Sequence, residues 1–83
     1  MLKEILEYYL EENFLTVDGH DDAVIGVDES KMRLCYSVGK IIQKLMSRDG
    51  MTHEEAIEFF EFNISGAYMG EQTPIYVYDC FEH

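Results

Sequence analysis

The sequence predicts a small single α+β domain spanning residues 1–83, with about three helices packed on a short sheet of two or three strands. Three observations carry this. Apolar residues recur at three- and four-residue spacing in three separate stretches, the period of a helix with one buried face. Two short runs, Ala23-Val24-Ile25-Gly26-Val27 and Ile75-Tyr76-Val77-Tyr78, are rich in β-branched and aromatic residues and suit strands. Apolar residues make up 47% of the chain and eleven are aromatic, which is material for a core and argues against global disorder. A domain of this size buries only somewhat more than roughly 60% of its unfolded surface, so its stability is modest unless copies pair. Monomer and homodimer are both expected states.

In order, residues 2–14 read as a first helix with Leu2, Ile5, Leu6, Tyr9 and Leu10 on one stripe and Glu4, Glu7 and Glu11 on another. Residues 15–22 mix turn formers and acids and break that period, so they form an exposed loop, with extended chain at residues 15–17. Residues 23–27 follow as a strand, and their nearly continuous apolarity suggests burial on both faces or a place at the sheet centre. Residues 28–48 then read as the central helix. Asp28 is its cap, Met32, Leu34, Cys35, Val38, Ile41, Ile42, Leu45 and Met46 form its stripe, and Arg48 and Gly50 mark its end.

A third helix starts at Thr52, where Thr52 and Glu55 have the spacing of a reciprocal capping box, and it runs to about Asn63. Ala56, Ile57, Phe60 and Ile64 make its apolar face, and Glu54, Glu58 and Glu61 make an opposing acidic row. The glycines and proline of residues 65–74 predict a structured loop. Residues 75–78 close the domain as a strand expected to pair with residues 23–27. The predicted order is helix, strand, helix, helix, strand.

Charge is the most pronounced compositional feature, with seventeen acids against six bases and a net charge of −11. Residues 1–30 carry nine acids and one base, residues 31–48 carry five bases and no acid, and residues 49–83 carry eight acids and no base. Such a chain avoids direct contact with nucleic acid, whose binding draws much of its affinity from cations that displace counterions. A basic surface on another protein is the expected partner. No apolar run reaches the ~18–20 residues of a membrane span, and the acidic start is unlike a secretory signal. The expected location is the cytoplasm. Cys35 and Cys80 lack the spacing of a redox or zinc motif and read as two reduced thiols.

The segment from Asn63 to Ile75, read with Gly50-Met51-Thr52-His53-Glu54-Glu55-Ala56, resembles a group of small proteins from phages and mobile elements. In that group a strand ending in Gly-Val-Asp-Glu leads into a helix that opens Arg, hydrophobic, Cys or Val, Tyr, Ser. Gly26 to Glu29 and Arg33 to Ser37 match this order. The resemblance covers roughly residues 22–78 and leaves the first helix outside. It implies a phage or mobile-element origin and a protein that acts on a host system, and it assigns no catalytic residue.

Catalytic chemistry has little support. Cys35 lies on a predicted buried stripe, Ser37 has no nucleophile turn around it, and Gly66 and Gly70 lack the lysine and hydroxyl of a phosphate loop. Asp18 and Glu29 stand at the first and twelfth positions of a calcium loop, but His20 takes the third, and Ala23 takes the sixth, where the turn calls for glycine. His20, His53 and His83 show no recurring ligand spacing. The expectation is a non-enzyme without metal or cofactor. Its rivals are a metal-dependent or catalytic domain built on residues 18–29, and a structural homo-oligomer with apolar, tyrosine-rich faces.

The acidic rows are therefore the candidate partner-binding residues: Glu4, Glu7 and Glu11 on one helix, Glu54, Glu58 and Glu61 on another. Tyr68, in the glycine-flanked loop, joins them as an exposed anchor. A domain about 30 Å across faces a length of duplex carrying roughly 18 phosphate charges. Seventeen acids match that count but are spread around a globule. The acidic faces can therefore mimic one nucleic-acid strand in part, not a whole duplex, as an inhibitor of a host nucleic-acid-handling or defence protein would.

Overall fold

The computed structural model describes residues 1–79. Its elements are α1 (Leu2–Tyr8), a 3₁₀ turn (Asp21–Ala23), β1 (Val24–Asp28), β2 (Arg33–Ser37), α2 (Val38–Asp49), α3 (His53–Phe59) and β3 (Ile75–Val77), with α3 continued by a π-helical segment, Phe60–Ser65. The architecture is α+β, with three helices on one three-stranded sheet of order β1-β2-β3. β1 and β2 form an antiparallel hairpin, and β3 runs parallel to β2, returning to it after α2 and α3. Among the described residues no helix is long and apolar enough to cross a membrane.

The main departure from the sequence reading is β2. Residues 33–37 are the central strand, and the helix starts only at Val38. Leu34 and Tyr36 alternate onto the core face and are completely buried, a period-two pattern that the longer three- and four-residue spacing had absorbed. Asp28 accordingly caps no helix. It ends β1, where its carboxylate accepts from the amide and hydroxyl of Ser30 and from the Arg33 guanidinium, at 2.5 Å from Nη2. Met32, at φ 52°, completes the tight connection to β2. The N-cap of α2 is Ser37, whose Oγ accepts from the Lys40 amide at 3.0 Å, while Gly50 ends the helix at φ 71° as expected.

Because β2 takes the centre, β1 is an edge strand, not the middle one, and β3 pairs with β2 instead of with residues 23–27. The interior glycine of β1 lies beside a bulge: Val24 opposes Tyr36 and Gly26 opposes Cys35, which leaves Ile25 as the extra residue. α1 is also shorter than its apolar spacing suggested. It stops at Tyr8, with Tyr9 already out of helical geometry at φ −110°. Beyond it, Glu11 and Glu12 would bring two negative charges to the carbonyl end of the helix, where a cation is favoured. Of the predicted stripe, Ile5 is buried and Leu2 and Tyr9 pack on the core, whereas Leu6 and Leu10 face solvent.

The core joins Leu34 and Tyr36 of β2 to Val38, Ile41 and Leu45 of α2 and Ala56, Phe60 and Ile64 of the third helical segment. The Tyr36 hydroxyl accepts from the Val17 amide at 2.8 Å, tying the 9–20 connector to the sheet. The capping box of Thr52 and Glu55 is formed. At the far end, a Cβ on Gly66 would lie 2.7 Å from the Glu61 carbonyl oxygen, so only glycine fits as the chain leaves the π-helical turn. In the loop that follows, the Thr73 hydroxyl accepts from the Met69 amide and donates to the Gly70 carbonyl, both at 2.7 Å. β3 covers three of the four residues read as the closing strand.

Candidate functional site

The third helical segment presents three kinds of side chain around its circumference. Ala56 and Phe60 point into the core. Glu54, Glu58 and Glu61 are exposed along an outer ridge. Two apolar strips flank that ridge. On one side lie Phe59 and Phe62, the latter 81% exposed, on a shallow shelf with Glu55 and Met51. On the other, Ile57 and Phe60 line a cleft of about 650 Å³ shared with Ile42 and Met46 of α2 and with Tyr78. None of the three ridge carboxylates is in an ion pair among the described residues, whereas Glu4, Asp22, Asp28, Asp49 and Glu71 each have a cation within 4 Å.

The other acidic row is not a row. Glu4 and Glu7 are exposed on α1, but Glu11 lies beyond its end. The Glu4 carboxyl is held below its usual range, first by a backbone hydrogen bond and then by the terminal ammonium 3.3 Å away. Tyr68 is 79% exposed in its loop, as predicted. Phe59 and Phe62 were not singled out from the sequence, although two adjacent phenylalanines cannot both face one core and Phe62 lies two positions beyond Phe60; Met46 was read as part of the buried stripe of the central helix and Tyr78 as closing strand, and both are exposed.

The cleft ends at the amino terminus of α2, where the Gly39 and Lys40 amides are already taken. Asp79 accepts from the Ser37 hydroxyl at 2.6 Å and from the Gly39 amide at 3.0 Å. These donors, with Ser37 first, hold the Asp79 carboxyl below the usual carboxylate range. The Ser37–Asp79 contact links residues 42 apart, so nothing local announced it.

The residues read as a possible calcium loop are dispersed. Residues 24–28 of that stretch are strand β1, His20 is buried, and the Glu29 carboxylate accepts from the Tyr9 hydroxyl, which pushes that phenol up to about 12. Among the described residues no group of three or more His, Cys, Asp or Glu side chains is gathered as a metal would need. Cys35 lies on β2, not on a helix stripe, as a half-buried free thiol whose pKa is raised first by burial and then by the charge of Asp28. Cys80 and His83 lie outside the described residues. Arg33 to Ser37, read from the sequence as part of the central helix, is strand. No protein-family model matches the chain, and no curated protein or solved structure is significantly similar to it.

Proposed function

We propose that this chain is a phage-type protein-binding module that sets the acidic ridge of α3 against a basic surface of a host nucleic-acid-handling or defence protein and inhibits it by partial mimicry of one nucleic-acid strand. The observation that carries the reading is the ridge itself: three exposed carboxylates that are in no ion pair among the described residues, bordered by exposed phenylalanines. Charge there can steer a basic partner and set register, while apolar side chains beside it supply the contact area that charge alone does not. No catalytic residue or cofactor enters this function. A second reading, self-association, is favoured by the solvent-facing Leu6 and Tyr8 of α1 and Leu10 just beyond it, the last 82% exposed.

The test begins with a partner recovered from host lysate at low salt and then compares two charge reversals on the full chain. Glu54→Lys with Glu58→Lys and Glu61→Lys is expected to slow association and weaken binding at least tenfold, with folding checked by circular dichroism. The matched triple at Glu4, Glu7 and Glu11 is expected to change affinity little, since its row is broken. The association rate of the unaltered protein should fall steeply as salt screens fields beyond ~10 Å at 0.1 M. Unchanged affinity in both triples and at high salt would reduce the acids to a solubilising role. Sedimentation of the same samples over a concentration series reads the second reading directly.

A further inference from the structure

We infer that the cleft between α2 and α3 is the seat of an amphipathic helical segment of the partner, with its cations along the margin that lies over α3. The inference deepens the reading of the ridge and rests on it. Four features of the cleft select this occupant.

The cleft has an apolar lining between polar rims. Ile42, Ile57 and Phe60 line it, while Met46 and Tyr78, at 37% and 52% exposure, stand at its mouth and keep much of their surface in water. Singly exposed apolar residues are ordinary, but these share one depression. Its dimensions also suit a helix. The stretch of α2 that lines it, from Val38 to Met46, makes a wall about 13 Å long, room for roughly two turns whose anchors repeat at three- and four-residue spacing.

The two rims differ in charge. The α3 rim carries Glu61, with the ridge of Glu54 and Glu58 behind it and His53 at the start of the helix, and the α2 rim carries Gln43 and Lys40, an ammonium without an ion pair among the described residues. A segment with cations on one margin and neutral or acidic groups on the other is complementary to both rims. Finally, the helix terminus at the end of the cleft offers no free donors at Ser37 or Gly39, because Asp79 takes both and places a negative charge there. A small anion therefore finds repulsion at the very point where a helix start would otherwise bind it. The cleft suits an apolar stripe with a basic margin, not a phosphate.

The experiment uses the full chain and two synthetic peptides of roughly 14 residues, about four helical turns. One carries leucines at positions one, four, five and eight, arginines along one margin and glutamines along the other. The second has the same composition scrambled, so that its charge is equal and its apolar stripe is lost. Fluorescence anisotropy is expected to show the amphipathic peptide binding at least tenfold more tightly than the scrambled one. Met46→Ala and Tyr78→Ala, both at the cleft mouth, should each weaken it roughly tenfold, the scale of an anchor contact. Amide shifts on the unaltered protein should map to α2 and α3 on the cleft side, a readout independent of any variant. Equal binding of the two peptides, reduced by the Glu54, Glu58 and Glu61 reversal, would overturn the cleft and leave the ridge standing. Binding insensitive to that reversal would overturn the ridge reading itself. Absence of binding by the amphipathic peptide, or cleft shifts that grow with the concentration of this chain alone, would also overturn the proposal, the latter by making a second copy the occupant.

Discussion

The two acidic helices start from similar ingredients and end as different surfaces. α1 and α3 each have seven α-helical residues and glutamates three or four apart. α3 begins at a reciprocal capping box, and the π-helical turn that follows carries Phe60 and Ile64 into the core. α1 has no side-chain cap and one buried residue, Ile5, and it stops before Glu11. An isolated helix this short is unstable in water, so caps and buried contacts decide how far it extends. A row of charges is only as long as the helix that holds it, and the spacing of the charges does not set that length.

The widest separation between the two should appear in the core. Phe60→Ala removes a side chain that is 1% exposed and touches both Tyr76 and Tyr78 edge-on, with ring centroids 5.4 and 6.2 Å away. Its expected cost is about 3–5 kcal/mol, much of the ~5–15 kcal/mol that holds a typical domain. Leu6→Ala on α1, at 43% exposure, should stay within about 0.5 kcal/mol. Urea unfolding of both variants measures the difference. Comparable losses would mean that α1 is held by packing as firmly as α3 is.

The same contrast explains what could be read in advance. The third helix was legible because its cap, its apolar face and its acidic face are all local, within residues 52–64. The α+β class, the left-handed stop at Gly50 and the exposure of Tyr68 were legible for the same reason. β2 was hidden because Leu34 and Cys35 also fall into the helical spacing that truly begins at Val38, while Tyr36, which completes the strand period with Leu34, lies off that stripe. Once that strand was missed, the pairing of β3 and the edge position of β1 could not follow. The cleft beside the ridge depends on contacts between residues far apart in sequence, Ser37 with Asp79 and Phe60 with Tyr78. Periodicity within one segment says nothing of such contacts.

The cap gives a finer cut. Thr52→Ala removes the acceptor for the Glu55 amide, now 3.2 Å from Oγ1, and should cost about 1 kcal/mol. Thr52→Ser retains the hydroxyl and should recover most of that loss. Hydrogen exchange at the first turn of α3 should quicken in the alanine variant while α1 is unchanged. If the alanine variant is as stable as the original, packing alone sustains α3, and the absence of a cap does not account for the shortness of α1.

The most local expectation concerns the connector that follows α1, where Phe14 and Val17 pack on the core and three polar contacts tie the chain down: Tyr9 to Glu29, Val17 to Tyr36, and the Gly19 carbonyl to Arg48 at 3.1 Å. His20 lies among them, 3% exposed, with Nδ1 unpartnered among the described residues. Arg48 and Lys44 of α2 face it, as do Asp22 of the 3₁₀ turn and Asp49 at the end of α2. Burial first, then the two cations, push its pKa below 6.5, against the smaller opposing pull of Asp22 and Asp49. The unfolded chain therefore takes up this proton more readily than the folded one. The neutral imidazole contributes its full stability above about pH 6.5, and that contribution is lost as pH falls from there through the folded-state pKa. The depressed carboxyls of Asp22, Asp28, Asp49 and Asp79 lose theirs only at and below about pH 3.8. Between about pH 7 and pH 5 the urea midpoint should thus decline in the unaltered protein and much less in His20→Gln, whatever the absolute stability of the variant. Exchange of the Val17 and His20 amides should rise first, before that of α3. An equal pH slope in both proteins would show that His20 does not carry the effect, and that the connector is no more sensitive to acid than the helix it is compared with.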